Sequence, residues 1–373
     1  MDCSHDAAQP SVGPAGVFDP PVCAVRRVFR AGLAGRKTVG FLVSHCGIGK
    51  GIGPCRLRLA LCRLWQDHSL IRFGDFRVRK LAVTLYGIAH GFLIKESAAV
   101  PEQRAELHVE GEPWLGTVAT PYNPAAHPDT CKVFTHLYSA YDGLPITKGA
   151  GGFDSHQRGL HIGWRSTEVD GQVFDTWHMT DCSQRHGGWL AEPGTVAAHS
   201  FIVEWCDASG GIFIREFRSL LCRHARYGAR MFDLQSRLSA VDRPVTLRGD
   251  PHHAGVQIRL ANEVCRRPWS TRFVLPGNAQ RRRNDIVYDA LWACCLADIR
   301  GKRHAILHMA HPANPGLEHM AYGIRAYGRF GAFFEADLKP GSPLRMRFRI
   351  LWTEGELDAG ECEAHYREYT SSV

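Results

Sequence analysis

Residues that could carry acid–base chemistry are concentrated between positions 136 and 186 of this sequence. Histidines, carboxylates, arginines and tryptophans all occur there: His136, Asp154, His156, Arg158, His161, Trp164, Asp175, Trp177, His178, Asp181 and His186. Imidazoles titrate near neutral pH and act as metal ligands or as general acids and bases. Tryptophan faces stack on sugar rings or hold cations. The stretch therefore predicts a site for a small-molecule or carbohydrate ligand.

Side-chain chemistry suggests a role for each candidate. His156 and His136 are expected to be the catalytic acid–base or ligating groups, and Asp175 is expected to orient a histidine. Arginine binds carbonyl or carboxylate oxygens, and tryptophan offers a stacking surface. The expected ligand-binding residues are Arg158, Arg259, Trp164, Trp177, His311 and Asn314.

The local pattern around His156 predicts how it is presented. Written as a strand, residues 156–164 place His156 and Arg158 on one face, two positions apart, where both could contact one anionic or carbonyl-bearing ligand. The alternative is that Arg158 pairs only with Asp154 or Asp175. Both interpretations remain open from the sequence.

Alternation of apolar and polar residues with a period of two dominates the chain from residue 104 onwards. Residues 344–352 are the clearest case, with large apolar side chains on one face and three arginines on the other. His311 and Asn314 lie in a proline-flanked turn, which is typical of a strand end. Short segments between Gly, Pro and Asp turns predict an all-β fold: a large antiparallel two-sheet β-sandwich over residues 101–360, followed by a C-terminal tail at 361–373.

The net charge of +8 lies entirely in the first quarter of the chain. Residues 1–100 contain 14 lysines and arginines against 6 acidic residues, whereas residues 101–373 are balanced at 31 and 31. A basic nucleic-acid-binding face over the main body is therefore disfavoured, and no nucleic-acid partner is expected. Residues 1–100 are predicted to be a basic, cysteine-rich and poorly ordered extension, whose removal up to residue 95 should leave a folded body.

Cysteine usage bears on the compartment. The 13 cysteines cannot all pair within one chain, and no Cys-x-x-Cys motif occurs. A reducing compartment is favoured, and since no secretory signal pattern opens the sequence, a cytoplasmic location is expected. No run of about 18 apolar residues is present, so no membrane partner is expected. The sequence makes no prediction of the oligomeric state.

Several segments resemble a known protein family in their order and spacing. They are residues 136–138, 142–147, 156–164, 255–260, 311–315 and 327–330. Together they resemble the soluble PmoA family, which carries the name methane oxygenase PmoA and is otherwise a domain of unknown function, across residues 104–355. Paired histidines usually precede Arg-Gly-Leu in that family, whereas the second position here is Gln157. The resemblance implies a β-sandwich and an association with carbohydrate breakdown.

Three functions are compatible with these features. The first is an enzyme, either a hydrolase, a lyase or an epimerase, acting on a carbohydrate or keto-sugar. The second is a non-catalytic carbohydrate-binding module. The third follows the family name: a metal-dependent oxygenase, with a divalent metal as candidate cofactor and His136, His156 and either Asp154 or Asp175 as ligands. A buried pair of histidine and carboxylate would favour an enzyme, whereas an exposed tryptophan strip would favour the binding module.

Overall fold

The computed structural model describes residues 100–225 and 228–371. The predicted basic extension, apart from residue 100, lies outside the described residues. The strands run in chain order as β1 (Arg104–Val109), β2 (Glu112–Val118), β3 (Phe134–Leu137), β4 (Leu160–Trp164), β5 (Ser166–Val169), β6 (Gln172–Phe174), β7 (Cys182–Trp189), β8 (Ala198–Asp207), β9 (Ile212–His224), β10 (Arg230–Ala240), β11 (Val245–Arg248), β12 (Ala254–Arg259), β13 (Arg272–Val274), β14 (Gln280–Arg282), β15 (Ile286–Tyr288), β16 (Trp292–Ile299), β17 (Lys302–Ala310), β18 (Ala321–Arg325), β19 (Arg329–Phe333), β20 (Ala336–Leu338) and β21 (Leu344–Glu354).

Helices are few and mostly short. The α-helices are α1 (His127–Thr130), α2 (Asn262–Arg266) and α3 (Ala359–Ser371), and the 3₁₀ turns are Pro124–Ala126, Pro268–Ser270, Arg283–Asp285 and Leu317–His319. Within the described part of the chain, no helix is long and apolar enough to cross a membrane.

The strands form three antiparallel sheets, which confirms the all-β prediction. The first sheet has nine strands in the order β1-β2-β3-β4-β12-β19-β18-β15-β14, and the second has eight in the order β13-β16-β17-β21-β10-β9-β8-β7. A smaller third sheet, with the order β20-β11-β5-β6, was not expected from the sequence. Its strands are only three or four residues long, which leaves too little alternation to distinguish a separate sheet.

The two large sheets pack face to face around one apolar core. Ile162 and Val256 from the nine-stranded sheet are buried in the same cluster as Leu234 and Phe348 from the eight-stranded sheet. Alternation explains this arrangement, because every second side chain of each strand turns inward. The side chains between them turn to the outer face of each sheet, and the outer face of the nine-stranded sheet carries the candidate site.

The chain after residue 358 is a helix, where the sequence suggested a tail. Helix α3 buries Cys362 and Tyr369 against the outer face of the eight-stranded sheet, in a second apolar cluster that includes Trp292 and Leu351. The segment has few apolar residues and little amphipathic pattern, so its sequence gave no strong helix signal.

The strand predicted over residues 156–164 begins only at Leu160. Asp154 adopts a left-handed conformation with φ of 50°, and the Gln157 amide donates to the Asp154 carbonyl at 2.9 Å, so His156 lies in a turn. The prediction that His156 and Arg158 share a strand face is therefore wrong.

Glycines on the outer face of the nine-stranded sheet allow two loops to lie directly on it. A methyl group at Gly163 would overlap the carbonyl oxygen of Thr176, and one at Gly323 would overlap that of Pro251. These two loops carry the histidines described below. The contacts are with backbone, which cannot move aside as the end of a flexible side chain can.

We expect Gly323→Ala to lower the free energy of unfolding by about 1–3 kcal/mol, because the added methyl group overpacks this contact. Chemical denaturation measures the effect. Gly277→Ala is the matched control, since a methyl group there meets open space. Equal stability of the two variants would contradict the close packing of the Pro251 loop on the sheet.

Candidate functional site

The candidate site is built on the outer face of the nine-stranded sheet. His161 on β4 lies opposite Gln257 on β12, which in turn lies opposite Gly331 on β19. His161 and Gln257 are fully buried although they point away from the core. Loops must therefore cover this face, and two of them come from the small third sheet.

Both loops leave the same edge of the small sheet. Strands β6 and β11 are each antiparallel to β5, so they run parallel to each other and their C-terminal ends share one edge. The segment Asp175-Thr176-Trp177-His178 follows β6 directly, and Asp250-Pro251-His252-His253 follows β11 after one glycine. Each has the pattern Asp-x-x-His, and we call them the first and second Asp-x-x-His turns.

In the first turn the carboxylate of Asp175 holds both the backbone and the histidine. Its Oδ1 accepts hydrogen bonds from the amides of Trp177 (3.1 Å) and His178 (2.8 Å), and its Oδ2 lies 2.7 Å from Nδ1 of His178. An aspartate that accepts from the amide two residues ahead is the usual Asx-turn arrangement. Burial alone would raise the pKa of Asp175, but the hydrogen bonds from His178 lower it.

The second turn repeats this geometry. Oδ1 of Asp250 accepts from the amide of His252 at 2.8 Å, and Oδ2 lies 2.9 Å from Nδ1 of His253. Although burial opposes the shift, the hydrogen bond and positive charge of His253 lower the pKa of Asp250 to about 2. Both aspartates are therefore ionised at neutral pH. Because a carboxylate only accepts, each histidine donates its Nδ1–H to the aspartate, and its Nε2 lies on the side of the ring away from the carboxylate.

The two turns bring their histidines together with His156. The ring centroids of His156 and His178 are 4.4 Å apart, and those of His178 and His253 are 5.6 Å apart. All three side chains are partly exposed, about a third in the case of His178 and His253. We call His156, His178 and His253 the imidazole trio.

The electrostatic surroundings keep His156 neutral. Burial is the main cause of a pKa well below the usual histidine value, and the charges of Lys132 and His178 lower it further. A neutral imidazole can accept a proton at neutral pH. The trio therefore combines a neutral imidazole with two imidazoles that are each hydrogen-bonded to a carboxylate.

A buried tryptophan lies beneath the trio. The ring of Trp177 is fully buried; its centroid lies 5.0 Å from that of His161 and 6.2 Å from that of His253. The Arg329 guanidinium lies 5.8 Å from the same ring, and the Lys132 ammonium lies 5.6 Å from it. The Trp177 ring thus lies close both to His253 of the trio and to two buried basic side chains.

Lys132 ties the loop of His156 to the first Asp-x-x-His turn. Its Nζ donates to the carbonyl oxygens of His156 (3.0 Å) and Trp177 (2.6 Å). The side chain is buried and forms no ion pair within the described residues. Burial is the main cause of its lowered pKa, which falls to about 7, and the charge of Arg158 adds to the effect. A buried amine with this pKa is typical of functional sites.

Around the trio, several buried polar atoms lack a hydrogen-bond partner among the described residues. They are Oε1 of Gln157, both ring nitrogens of His161, Nε1 of Trp177, Nε2 of His252 and Nε of Arg329. Most buried polar groups in folded proteins are paired, so unpaired ones call for an explanation. This set includes both donors and acceptors, all of them buried.

Three of the predicted site residues lie within this cluster. His156 belongs to the trio, Asp175 holds His178, and Trp177 forms the buried floor. Trp177 presents no open face to solvent, so a ring could stack on it only if the loops moved. The expected roles of these residues stay predictions.

His136 and Arg158 lie elsewhere in the structure. His136 is buried on β3 with its ring nitrogens 3.0 Å from Oγ1 of Thr147 and 3.1 Å from Oε2 of Glu102. Arg158 is buried and donates to the backbone carbonyls of Ser155 (2.7 Å), Asp129 (2.8 Å) and Pro128, so its guanidinium fixes loops. Neither side chain contacts the trio.

Arg259 and Trp164 are also outside the trio. The Arg259 guanidinium stacks 4.7 Å from the Tyr327 ring and donates to the Tyr327 carbonyl, while its Nε and one terminal nitrogen have no partner among the described residues. Trp164 points into the core, where its Nε1 donates to the Phe334 carbonyl at 2.9 Å. Trp164 is fully buried and has no surface for a ligand.

His311 and Asn314 hold a turn after β17. The Asn314 side chain accepts from the Arg347 amide at 2.7 Å and donates to the Arg347 carbonyl at 2.8 Å. Nδ1 of His311 accepts from the Ala313 amide at 3.0 Å, and its ring packs on Tyr369 of helix α3. The turn follows a strand as predicted, but β17 belongs to the eight-stranded sheet, whereas the trio lies over the nine-stranded sheet.

The sequence-based candidates did not include Asp250, His253 or Lys132. The available signal was the pattern Asp-x-x-His, which occurs at 2–5 and, within the described residues, at 175–178 and 250–253. Only the topology shows that the latter two share one sheet edge. Lys132 carried no signal, because an isolated lysine is usually exposed.

The residues do not fit the metal centre that the family name implies. Within residues 100–225 and 228–371, no group of three His, Cys, Asp or Glu side chains is placed to hold a metal ion. The expected ligands His136 and His156 have different partners, Glu102 and His178 respectively.

Comparisons with solved structures give only distant likenesses. A structure described as "Putative kojibiose phosphorylase from human microbiome" has a TM-score of 0.32 and 8% identity, with 73% of this chain covered and 36% of that one. The chain thus spans about a third of that protein. The structure of a protein called HI1317 has a TM-score of 0.29 and 9% identity, covering 67% of this chain and 100% of that one. Scores this low carry no argument about fold or function.

Sequence comparison is more decisive. No curated protein matches the chain significantly. Residues 105–367 match the profile described as "Family of unknown function (DUF6807)". That description names no activity, so the PmoA name suggested by the resemblance stays a prediction. Since the match covers well over half of the sequence, the chain belongs to this family of unknown function.

Proposed function

We propose that this protein is an enzyme that transfers protons on a hydroxyl- and carbonyl-bearing ligand of the carbohydrate class, and that the imidazole trio carries out the transfer. The observation that carries the proposal is the pair of Asp-x-x-His turns, which present two carboxylate-held imidazoles beside the neutral His156. A carboxylate on Nδ1 raises the basicity of Nε2 and stabilises the imidazolium formed when Nε2 takes a proton.

The chemistry that these groups support best is proton abstraction next to a carbonyl. One imidazole Nε2 removes the proton from the carbon, and the electron pair moves into the carbonyl to give an enolate. A second imidazole, protonated, returns a proton to the carbon in an epimerase. In a lyase the enolate instead expels a leaving group from the next carbon, and the imidazolium protonates that group. Beneath the trio, the Arg329 guanidinium, which lies 5.8 Å from the Trp177 ring, favours the developing negative charge.

Hydrolysis by paired carboxylates is less well supported. Glycosidases of that type need one carboxylic acid that stays protonated near neutral pH. Here Asp175 and Asp250 are both bound to imidazoles and their pKa values are lowered. Neither carboxyl group can therefore serve as that acid. This leaves the epimerase and the lyase as the supported forms of the expected carbohydrate enzyme.

The binding-module alternative lacks its characteristic surface. Modules of that kind bind sugars on open aromatic faces, whereas Trp164 and Trp177 are fully buried. Among the large apolar side chains exposed in the described part, the one tryptophan is Trp269, which lies in the short turn at 268–270.

Eight cysteines in the described part are free thiols, which supports the proposed cytoplasmic location.

A panel of glycosides and keto-glycosides tests this proposal. We expect the wild-type protein to convert at least one member, and His156→Ala to lose at least about 100-fold in kcat/KM. His319→Ala is the matched control, because His319 is exposed in a turn. Binding of panel members without any turnover would show a binding module instead. Unchanged turnover in His156→Ala would remove His156 from the site.

A further inference from the structure

Part of the eight-stranded sheet has an outer face that no other element of the described chain covers. Helix α3 covers the face near β16, where Nε1 of Trp292 donates to Oε2 of Glu363 at 3.0 Å. Beyond the helix, towards β10, β9 and β8, the outward side chains reach solvent. Four of them are exposed arginines, which we call the arginine face: Arg215, Arg237, Arg345 and Arg347.

The strand register forces like charges together on this face. Arg237 on β10 lies directly opposite Arg345 on β21, and Gln235 lies opposite Arg347. On its other side Arg237 lies opposite Phe217 on β9, with the guanidinium 5.5 Å from the ring. Like charges placed directly opposite each other on neighbouring antiparallel strands destabilise a sheet. The arrangement therefore has an energetic cost in the absence of an anion.

Carboxylates pair with neighbouring arginines, and within the arginine face with Arg215, whose guanidinium lies 3.6 Å from Oε1 of Glu204, but not with the other three. Arg349, two residues further along β21 and beneath helix α3, pairs with both carboxylate oxygens of Asp233 at 2.6 and 3.0 Å. Within the described residues, no Asp or Glu oxygen lies within ion-pair distance of Arg237, Arg345 or Arg347. The covered part of the sheet is thus neutralised, whereas the open part keeps its positive charge.

Two adjoining cavities open on the same face. One of about 240 Å³ is lined by Arg215, Phe217 and Arg237, and one of about 160 Å³ by Phe217, Arg237, Arg345 and Arg347. Both are lined by Phe217 and Arg237, so they adjoin at these two side chains. Together their linings offer guanidinium groups on three strands and the ring of Phe217, against which the Arg237 guanidinium lies.

We propose that the arginine face binds a ligand carrying at least two anionic groups. Each guanidinium can hold a carboxylate or phosphate group through two parallel hydrogen bonds. Facing residues on antiparallel strands have Cα atoms about 4.5–5.5 Å apart, so acidic groups on neighbouring units of a short oligomer match the spacing of Arg237 and Arg345. An oligouronate and an oligophosphate share this chemistry. The face belongs to the other sheet, so this proposal is independent of the imidazole trio.

Calorimetric titration with tripolyphosphate and with a trigalacturonate tests the proposal, and the neutral trisaccharide maltotriose is the ligand control. We expect saturable binding of one oligoanion per chain and none of maltotriose. Bound oligoanion should also raise the unfolding temperature by mass action. Tighter binding of one oligoanion identifies whether phosphate or carboxylate is the recognised group.

The double variant Arg237→Gln/Arg345→Gln is expected to weaken that binding at least 10-fold. Its unliganded unfolding temperature should stay the same or rise, because repulsion between the two side chains is removed. Arg243→Gln is the matched control: Arg243 is an exposed arginine that pairs with Asp170. The proposal is overturned if neither oligoanion binds at millimolar concentration, or if the control loses as much affinity as the double variant.

Discussion

His178→Gln and His253→Gln are each expected to lower kcat at least about 100-fold on any substrate that the wild-type protein converts. Each substitution removes an imidazole whose Nδ1 is held by a carboxylate at 2.7 or 2.9 Å and whose Nε2 lies on the side of the ring away from that carboxylate. A positioned general acid or base contributes about 10²–10⁴-fold to a rate, which sets the size of the effect. Steady-state kinetics with each purified variant measures it.

The partner carboxylates provide a second comparison. Asp175→Asn and Asp250→Asn keep the shape of the turns but replace the acceptor of the Nδ1–H with an amide, so the imidazolium is no longer stabilised. We expect kcat to fall while KM changes little. His319→Gln should retain wild-type kinetics. Wild-type kcat in both His178→Gln and His253→Gln would contradict the assignment of the Asp-x-x-His turns.

The free energy of unfolding of the wild-type protein is expected to include a contribution from Lys132 that grows as the pH rises above 7, and Lys132→Met is expected to remove this contribution. The folded-state pKa of Lys132 is about 7, against 10.5 for an ordinary lysine, because the side chain is buried. Between these two values the unfolded chain binds a proton that the folded chain does not, so the free energy of unfolding rises with pH. Below about pH 7 both states are protonated and the full cost of burying the charge is present.

The difference between wild type and Lys132→Met isolates this contribution. From pH 7 to pH 9 the difference in their free energies of unfolding should grow by about 2–3 kcal/mol in favour of the wild type, at about 1.4 kcal/mol per pH unit. Denaturant unfolding at each pH measures it. Lys302→Met, in which an exposed lysine paired with Glu354 is removed, should show no such growth. A constant difference across this range for Lys132→Met would mean that Lys132 is charged in the folded protein at pH 9.

Much of the fold could be predicted from the sequence, because a half-buried strand shows its burial in alternation. Residues 344–352 predicted β21, and the structure gives Leu344–Glu354. The strand prediction from alternation failed around His156. The side-chain types there continue the pattern, but the backbone turns at Asp154 and interrupts the strand. It also assigned Trp164 to the ligand face, whereas β4 turns this side chain into the core.

The candidate site could be predicted only in part. His156, Asp175 and Trp177 are near one another in the sequence, and local density was enough to single them out. His253 and Asp250 are some seventy positions further along. Only the pairing of β6 and β11 with β5 brings them back to the same edge, and that is a non-local property. Arg158 and His136 lie apart from the trio, and the sequence could not show this because their partners, backbone carbonyls and Glu102, are equally non-local.

Proton exchange on the ligand is the most direct test of the central claim. Keto-glycosides and free keto-sugars are incubated in D₂O with the wild-type protein or the His178→Gln/His253→Gln double variant, and deuterium at the carbon next to the carbonyl is followed by NMR. The imidazole trio predicts exchange above the uncatalysed rate for at least one ligand with the wild type, and at least about 100-fold less with the double variant. Exchange at the same rate in both proteins, or no exchange with any ligand that the wild type binds, would contradict it.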